Sequence, residues 1–267
     1  MSRGASRASQ TADLPFRGPV VCLLPARNAE TDLPGWFESV RGFADAVVAL
    51  DDGSTDGTLA ALRAEPLVQV LLGNAPRTTY AGWDDGANRN RLLAAAAPLS
   101  PQWIVSLDAD ERLDAHDARA LRTFLETDAL PGCAFGLQHF RMWGADRYDP
   151  DYSWIYRVFA YRPEQMLPAT RLHFDPVPVD IPRGAWLRTT VRVRHLGAVS
   201  DASLAARAVK YQQADPTAEF RDSPLLLRPG TNELPLWRSF APSVPVLLPR
   251  RRRRRSHDAE SIPDAGR

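Results

Sequence analysis

Short apolar runs alternate with polar, helix-like segments through the first half of the chain. Pro19 to Leu24 reads as a strand, and Leu33 to Phe43 as a helix with Asp32 as its cap and Pro34 in its first turn. Ala46 to Leu50 is a second strand, and Thr58 to Ala64 a second helix capped by Thr55 or Asp56. Leu67 to Leu72 is a third strand; after a polar loop, Ala87 to Ala97 reads as a helix and Trp103 to Leu107 as a fourth strand. Strands and helices alternating at this spacing predict an α/β fold, a mostly parallel sheet flanked by helices with right-handed crossovers.

The second half is less regular. Asp117 to Thr127 reads as a helix, Ala134 to Met142 as a strand and Gly144 to Tyr152 as a loop. Tyr156 to Tyr161 and Arg188 to Val193 read as strands, and Ser203 to Gln213 as a helix capped by Asp201 or Ser203. The expected division is a disordered tail over 1–17, a domain over 18–222 with halves 18–112 and 113–222, and a Pro/Arg-rich tail over 223–267 that folds back on the domain or stays extended.

At 267 residues, with 44% hydrophobic and 24% charged positions, the chain suits a soluble globular protein with one large domain. Net charge is +1, yet Arg250 to Arg255 are six consecutive arginines, which leaves the rest mildly acidic. Lys210 is the one lysine. Cys22 and Cys133 both sit in or beside apolar runs and are expected as buried thiols of a reducing compartment. No apolar run approaches the ~18 residues of a membrane span, and no secretory leader is evident. The chain is therefore expected in the cytoplasm. The arginine run reads either as a solvated tail or as a peripheral contact with anionic lipid on the inner face of the plasma membrane. No aromatic-basic pattern accompanies it, so nucleic acid is not an expected partner.

The chemistry gathers where strands end. Trp103 to Leu107 runs into Asp108, Asp110 and Glu111, and carboxylates at the carboxyl end of a parallel strand lie where open α/β sheets bind ligands. In extended backbone Asp108 and Asp110 face one side, and a divalent ion holding phosphate oxygens would relieve their repulsion. The same residues also read as a solvated turn capping the next helix. Asp51 and Asp52 end the second strand in the same way. No P-loop and no dinucleotide fingerprint occurs, and Asp51 to Leu62 does not have EF-hand spacing.

Together these motifs resemble family 2 glycosyltransferases: PARNAE after strand one, DDGSTDGT after strand two and DADE after strand four, in that order. Ala87-Asn88-Arg89-Asn90 before strand four, with its Arg-Asn, His195 with Gly197, and Lys210-Tyr211 resemble further elements of that family. The resemblance is strong over 19–112 and extends more weakly to 213. It implies the GT-A fold, a Rossmann-like sheet with a smaller mixed acceptor-side region. The implied activity is an inverting transfer of one sugar from a nucleotide-diphospho-sugar to a hydroxyl of a glycan or lipid-linked acceptor.

By resemblance, Asp110 is the direct ligand of Mn²⁺ or Mg²⁺, Asp108 touches ribose or metal-bound water, and His195 completes the metal site or touches the diphosphate. Asp51 or Asp52, with Asp52 favoured, reads the base, flanked by Pro25, Ala26 and Arg27, and Arg89 contacts the diphosphate. Candidates for the general base are Asp175, then Asp151 and Glu111; Trp154 and Arg157 are placed on the acceptor side. The donor is expected to be of UDP, GDP or dTDP type. The Gln-x-x-Arg-Trp element and the membrane helices of processive synthases are absent, which favours single addition. Two rival readings are a metal-dependent phosphohydrolase using Asp108 and Asp110, and a nucleotide-sugar binder without turnover. Against the first, Arg112 stands where such enzymes carry Thr or Val, and the motif is not on the first strand.

Overall fold

The computed structural model describes residues 18–197, 199–217, 219 and 234–238. Nine strands form one sheet in the order β3-β2-β1-β4-β8-β6-β9-β5, with β7 paired to β6 off this path. The first half is parallel: β1 (Val20–Ala26) lies between β2 (Ala46–Asp51) and β4 (Trp103–Ser106), and β2 pairs outward with β3 (Val68–Gly73). The intervening helices are α1 (Leu33–Val40), α2 (Thr58–Ala64) and α3 (Asp85–Ala95). The sheet then turns mixed. After β5 (Glu111–Arg112) and α4 (Ala115–Thr127) come β6 (Ala134–Trp143), β7 (Arg147–Tyr148), β8 (Ser153–Ala160), β9 (Trp186–His195) and α5 (Asp201–Ala214). β8 runs antiparallel to β4 and β6, and β9 runs parallel to β6.

Side-chain alternation along β1 explains the two-sided core. Val20, Cys22 and Leu24 join Trp36, Phe37, Phe43 and Phe124 on one face, while Val21 and Leu23 join Leu92, Leu93 and Trp186 on the other. Both faces being covered is what a near-continuous apolar strand predicts.

Several expectations are adjusted. The strand expected to end at Leu107 ends at Ser106, so Asp108 to Asp110 lie in a turn, closed by the Glu111 amide donating to the Asp108 carbonyl at 2.9 Å. α2 begins at Thr58 as expected, but its N-cap is Gly57 rather than Thr55 or Asp56, although Asp56 Oδ1 accepts from the Thr58 amide at 3.0 Å. α5 is capped by Ser200 rather than by Asp201 or Ser203, the Ser200 hydroxyl forming a reciprocal capping box with Ser203. The expected loop 144–152 contains β7. Leu234 to Arg238, assigned to the C-terminal tail, pack on the sheet. Leu236 bridges Arg147, and Trp237 contacts Phe140 and Tyr148 and donates to Asp114 at 2.8 Å. The tail expected over 1–17 and the arginine run Arg250 to Arg255 lie outside the described residues.

Candidate active site

A cleft of about 1190 Å³ opens at the carboxyl ends of β1, β2 and β4. At one end stands Asp52, buried just past β2. Its Oδ1 accepts from Asn74 at 2.6 Å and its Oδ2 from Arg77 at 2.6 Å. The loop after β3 reaches this point because Gly53, at φ 75, lets the Ala75 carbonyl approach where any Cβ would overlap it. Pro25 and Ala26 line the same end. Arg27 does so too, donating to the Arg77 and Thr79 carbonyls at 2.6 Å each, with its guanidinium 4.0 Å from the Tyr80 ring centroid. Of the two β2 carboxylates only Asp52 lines the cleft. Asp51 is 2% exposed and turned to the Ser54 amide at 3.3 Å, since successive residues of an extended chain face opposite sides.

At the centre is the turn after β4, whose carboxylates have different partners. Asp108 is clamped by Arg89, which donates from Nη2 to Oδ1 at 2.5 Å, and by Arg157, from Nη2 to Oδ2 at 3.0 Å. Burial alone would raise the Asp108 carboxyl, but Arg157 and then Arg89 outweigh it and hold it well below the usual carboxylate range. Arg89 also donates to Asp85 at 2.8 Å and to the Ser106 hydroxyl at 2.8 Å. Asp110 makes longer contacts: Oδ2 lies 3.3 Å from His195 Nε2 and 3.5 Å from Arg207 Nη1. Burial opposes its ionisation; His195 and then Arg207 reverse this and lower it.

The surroundings of Asp110 and His195 fit a hard divalent cation held jointly with a ligand's oxygens. Gly197 faces the pair; a Cβ there would overlap the Asp110 carboxylate and the Arg207 guanidinium, so the glycine keeps this space open. Among the described residues no group of three or more His, Cys, Asp or Glu could hold an ion alone. One carboxylate and one imidazole would leave an ion's remaining positions to ligand oxygens and water, which suits Mg²⁺ or Mn²⁺ better than structural zinc.

The other expected residues divide. Asp175 lines the cleft, 3.0 Å from Arg183. Glu111 borders it but is 1% exposed, accepting from the Asp108 amide at 2.9 Å and lying 3.4 Å from Arg157 and 3.5 Å from His139. Its oxygens are committed beneath the turn. Asp151 is exposed in the loop before β8 and is not among the cleft residues. Trp154 turns to the opposite face of β8 and donates its indole N–H to the Thr189 carbonyl at 3.0 Å; Arg157, three residues on, faces the cleft but is paired with Asp108 rather than free on an acceptor side. β8 alternation separates Trp154 from the cleft. Residues the sequence did not single out also line it, namely Tyr80, Trp83, Asp85 and Arg207. The visible signals were two aromatics in a polar loop and an arginine three positions before Lys210.

A two-sided sheet whose strand ends gather Asp52, a turn of carboxylates and an opposing histidine in one cleft defines an α/β protein of GT-A architecture. The glycosyl transferase family 2 model matches residues 22–178, more than half of the chain, and the chain belongs to that family. A mannosyltransferase from Pyrobaculum calidifontis, PcManGT in complex with GDP-Man and Mn²⁺, is 18% identical with a TM-score of 0.49, covering 78% of this chain and 65% of its own. S. aureus TarS 1–349 is 18% identical, covering 47% and 36%, with a TM-score of 0.34. Glucosyl-3-phosphoglycerate synthase from Mycobacterium tuberculosis, in complex with Mn²⁺, UDP and glucosyl-3-phosphoglycerate, is 21% identical, covering 46% and 44%, with a TM-score of 0.33. The chain spans less than two thirds of each of these proteins. Comparison with curated protein sequences gives no match. No helix among the described residues is long and apolar enough to cross a membrane.

Proposed function

We propose that the chain transfers a single sugar, with inversion, from a nucleotide-diphospho-sugar to an acceptor hydroxyl. The observation that carries this reading is one cleft joining Asp52, beside Arg27, to Asp110, His195 and Arg207. Base and ribose lie at the first end and the diphosphate at the second. Asp52, fixed on both oxygens by Asn74 and Arg77, keeps lone pairs for a base N–H. Asp110 and His195 would hold Mn²⁺ or Mg²⁺, which supplies electrostatic neutralisation of the diphosphate as the sugar carbon gains oxocarbenium character. Arg207 brings positive charge to the same place. Arg89 acts one step back: its forked donors are spent on Asp85, Ser106 and Asp108, so it fixes the turn rather than gripping phosphate. Asp175 is the general base of this reading, a cleft carboxylate close to solvent that takes the acceptor hydroxyl's proton. The acceptor is a glycan or lipid-linked glycan, met in the cytoplasm, with Arg250 to Arg255 as a contact for anionic membrane.

The test is calorimetric titration with UDP, GDP and dTDP, with and without Mn²⁺. One nucleotide should bind the wild type, and Mn²⁺ should tighten it. Asp110→Asn and His195→Ala should lose the Mn²⁺ enhancement while melting cooperatively. Binding by none of the three, or an enhancement that survives both substitutions, overturns the assignment.

A further inference from the structure

Lys210, the one lysine of the chain, sits in the cleft with its ammonium 4.5 Å from the Trp83 ring centroid, 5.3 Å from that of Tyr80 and 5.9 Å from that of Tyr211. An ammonium within about 6 Å of an aromatic face is drawn to the ring quadrupole. The rings come from two elements, Tyr80 and Trp83 from the loop after β3 and Tyr211 from α5, and they also touch each other. Centroids are 6.1 Å apart for Tyr80 and Trp83 and 6.0 Å for Trp83 and Tyr211, and the Tyr80 amide donates to Gln213 Oε1 at 3.0 Å. The loop is held from beneath by Arg27. The other ties of α5 are few: Ala214 is its one buried residue, Arg171 donates to the Ala214 carbonyl, and His173 stacks on Tyr211 with centroids 4.9 Å apart. Arg207, three positions before Lys210, shares its helix face and stands at Asp110 and His195. The seat of α5 therefore decides where two cations stand.

We propose that Trp83 is a positioning residue, closing with Tyr80 and Tyr211 a cage around Lys210 that latches α5 over the cleft and aims Lys210 and Arg207 at one diphosphate. The proposal rests on the nucleotide reading for its target, because only a polyanion uses both cations at once. The latch itself is a matter of geometry and is tested without any ligand. An endoproteinase specific for lysyl bonds has a single site in this chain, the Lys210–Tyr211 bond, and a helix must open locally before it is cut. Cleavage of the native wild type should be slow. Trp83→Ala should accelerate it about tenfold, equivalent to about 1.4 kcal/mol of opening free energy, and Trp83→Phe should restore slow cleavage. Should the alanine variant not melt cooperatively, Trp83→Leu, which keeps bulk without a π face, takes its place. Equal rates in wild type and the ring-less variant overturn the latch, and so does a phenylalanine variant as fast as the ring-less one. In a second arm, the affinity for whichever of UDP, GDP and dTDP the wild type binds should fall about tenfold in Trp83→Ala and recover in Trp83→Phe. Unchanged affinity overturns the positioning role. Failure of the wild type to bind any of UDP, GDP and dTDP overturns the functional reading instead, and is told apart because the cleavage arm contains no nucleotide.

Discussion

The carboxylates of the turn after β4 are two residues apart, yet their surroundings assign them different work, and mutating each separates stability from binding. Asp108 lies between Arg89 and Arg157, whose side chains are 5% and 11% exposed, while its own is 31% exposed. Removing one partner of a buried pair costs about 3–5 kcal/mol, because the remaining charge is left desolvated. Here part of that cost is spared. Arg89 keeps Asp85 and Ser106, Arg157 keeps Glu111 at 3.4 Å, and Asp108 is partly wet. Asp108→Ala is therefore expected to destabilise by about 2–3 kcal/mol, with the two guanidiniums left facing one another. Asp110 has only the contacts at 3.3 and 3.5 Å on the cleft side, so Asp110→Ala should cost about 0–1 kcal/mol. Urea unfolding followed by circular dichroism at pH 7 gives both values if the slope is unchanged. Mn²⁺-dependent nucleotide binding should vanish in Asp110→Ala. If Asp110→Ala proves as destabilising as Asp108→Ala, the division of labour is wrong.

Acid should expose the same clamp. The folded pKa of Asp108 is depressed below its ordinary 3.8, so the stability it supplies is present above that value and is lost as pH falls from there toward the folded pKa. Between pH 5 and about 3 the wild type should lose more unfolding free energy than Asp108→Asn, and parallel pH curves would refute this. Arg207→Ala should tighten Mn²⁺ binding without nucleotide about tenfold, read by electron paramagnetic resonance. A guanidinium 3.5 Å from the Asp110 carboxylate competes with a cation for it, and weaker binding would argue that Arg207 builds the site instead. Trp237→Ala removes contacts with Phe140, Tyr148 and Arg192 and a bond to Asp114, and should cost about 2 kcal/mol. Hydrogen exchange at the Tyr148 amide, which donates to Pro235, should quicken; unchanged exchange would show that this segment is only loosely docked.

How far the chain could be read from its sequence follows from how local each signal is. β1, β2 and the strand before DADE were legible because strands buried on both faces are apolar at every position, and α2 was placed residue for residue at Thr58–Ala64. The site ends of those strands were legible too, since polar residues that break such a run stand out. Orientation was less so. Asp51 and Asp52 look equivalent in sequence, and one pleat decides which of them meets the cleft. Trp154 and Arg157 look like neighbours on one side, yet Trp154 faces Thr189 and Arg157 faces Asp108. Convergence of Asp108 and Asp110 was anticipated for the wrong reason, strand alternation instead of a turn.

The least legible part is the one contributed by distant segments. Trp83 and Lys210 are inconspicuous apart, one an aromatic in a polar loop and the other a lysine on a helix rich in alanine. Only the crossover from β9 to α5 brings them within 4.5 Å, and the same crossover sets Arg207 against Asp110, 97 positions away. α5 buries almost no apolar surface, so hydrophobic periodicity could not have told where it docks. Cations and rings hold it in place, and these interactions leave no period in a sequence. On the proposed reading it is also the element that bears the cations facing a bound diphosphate, so the contacts that seat it and those that serve the site are the same.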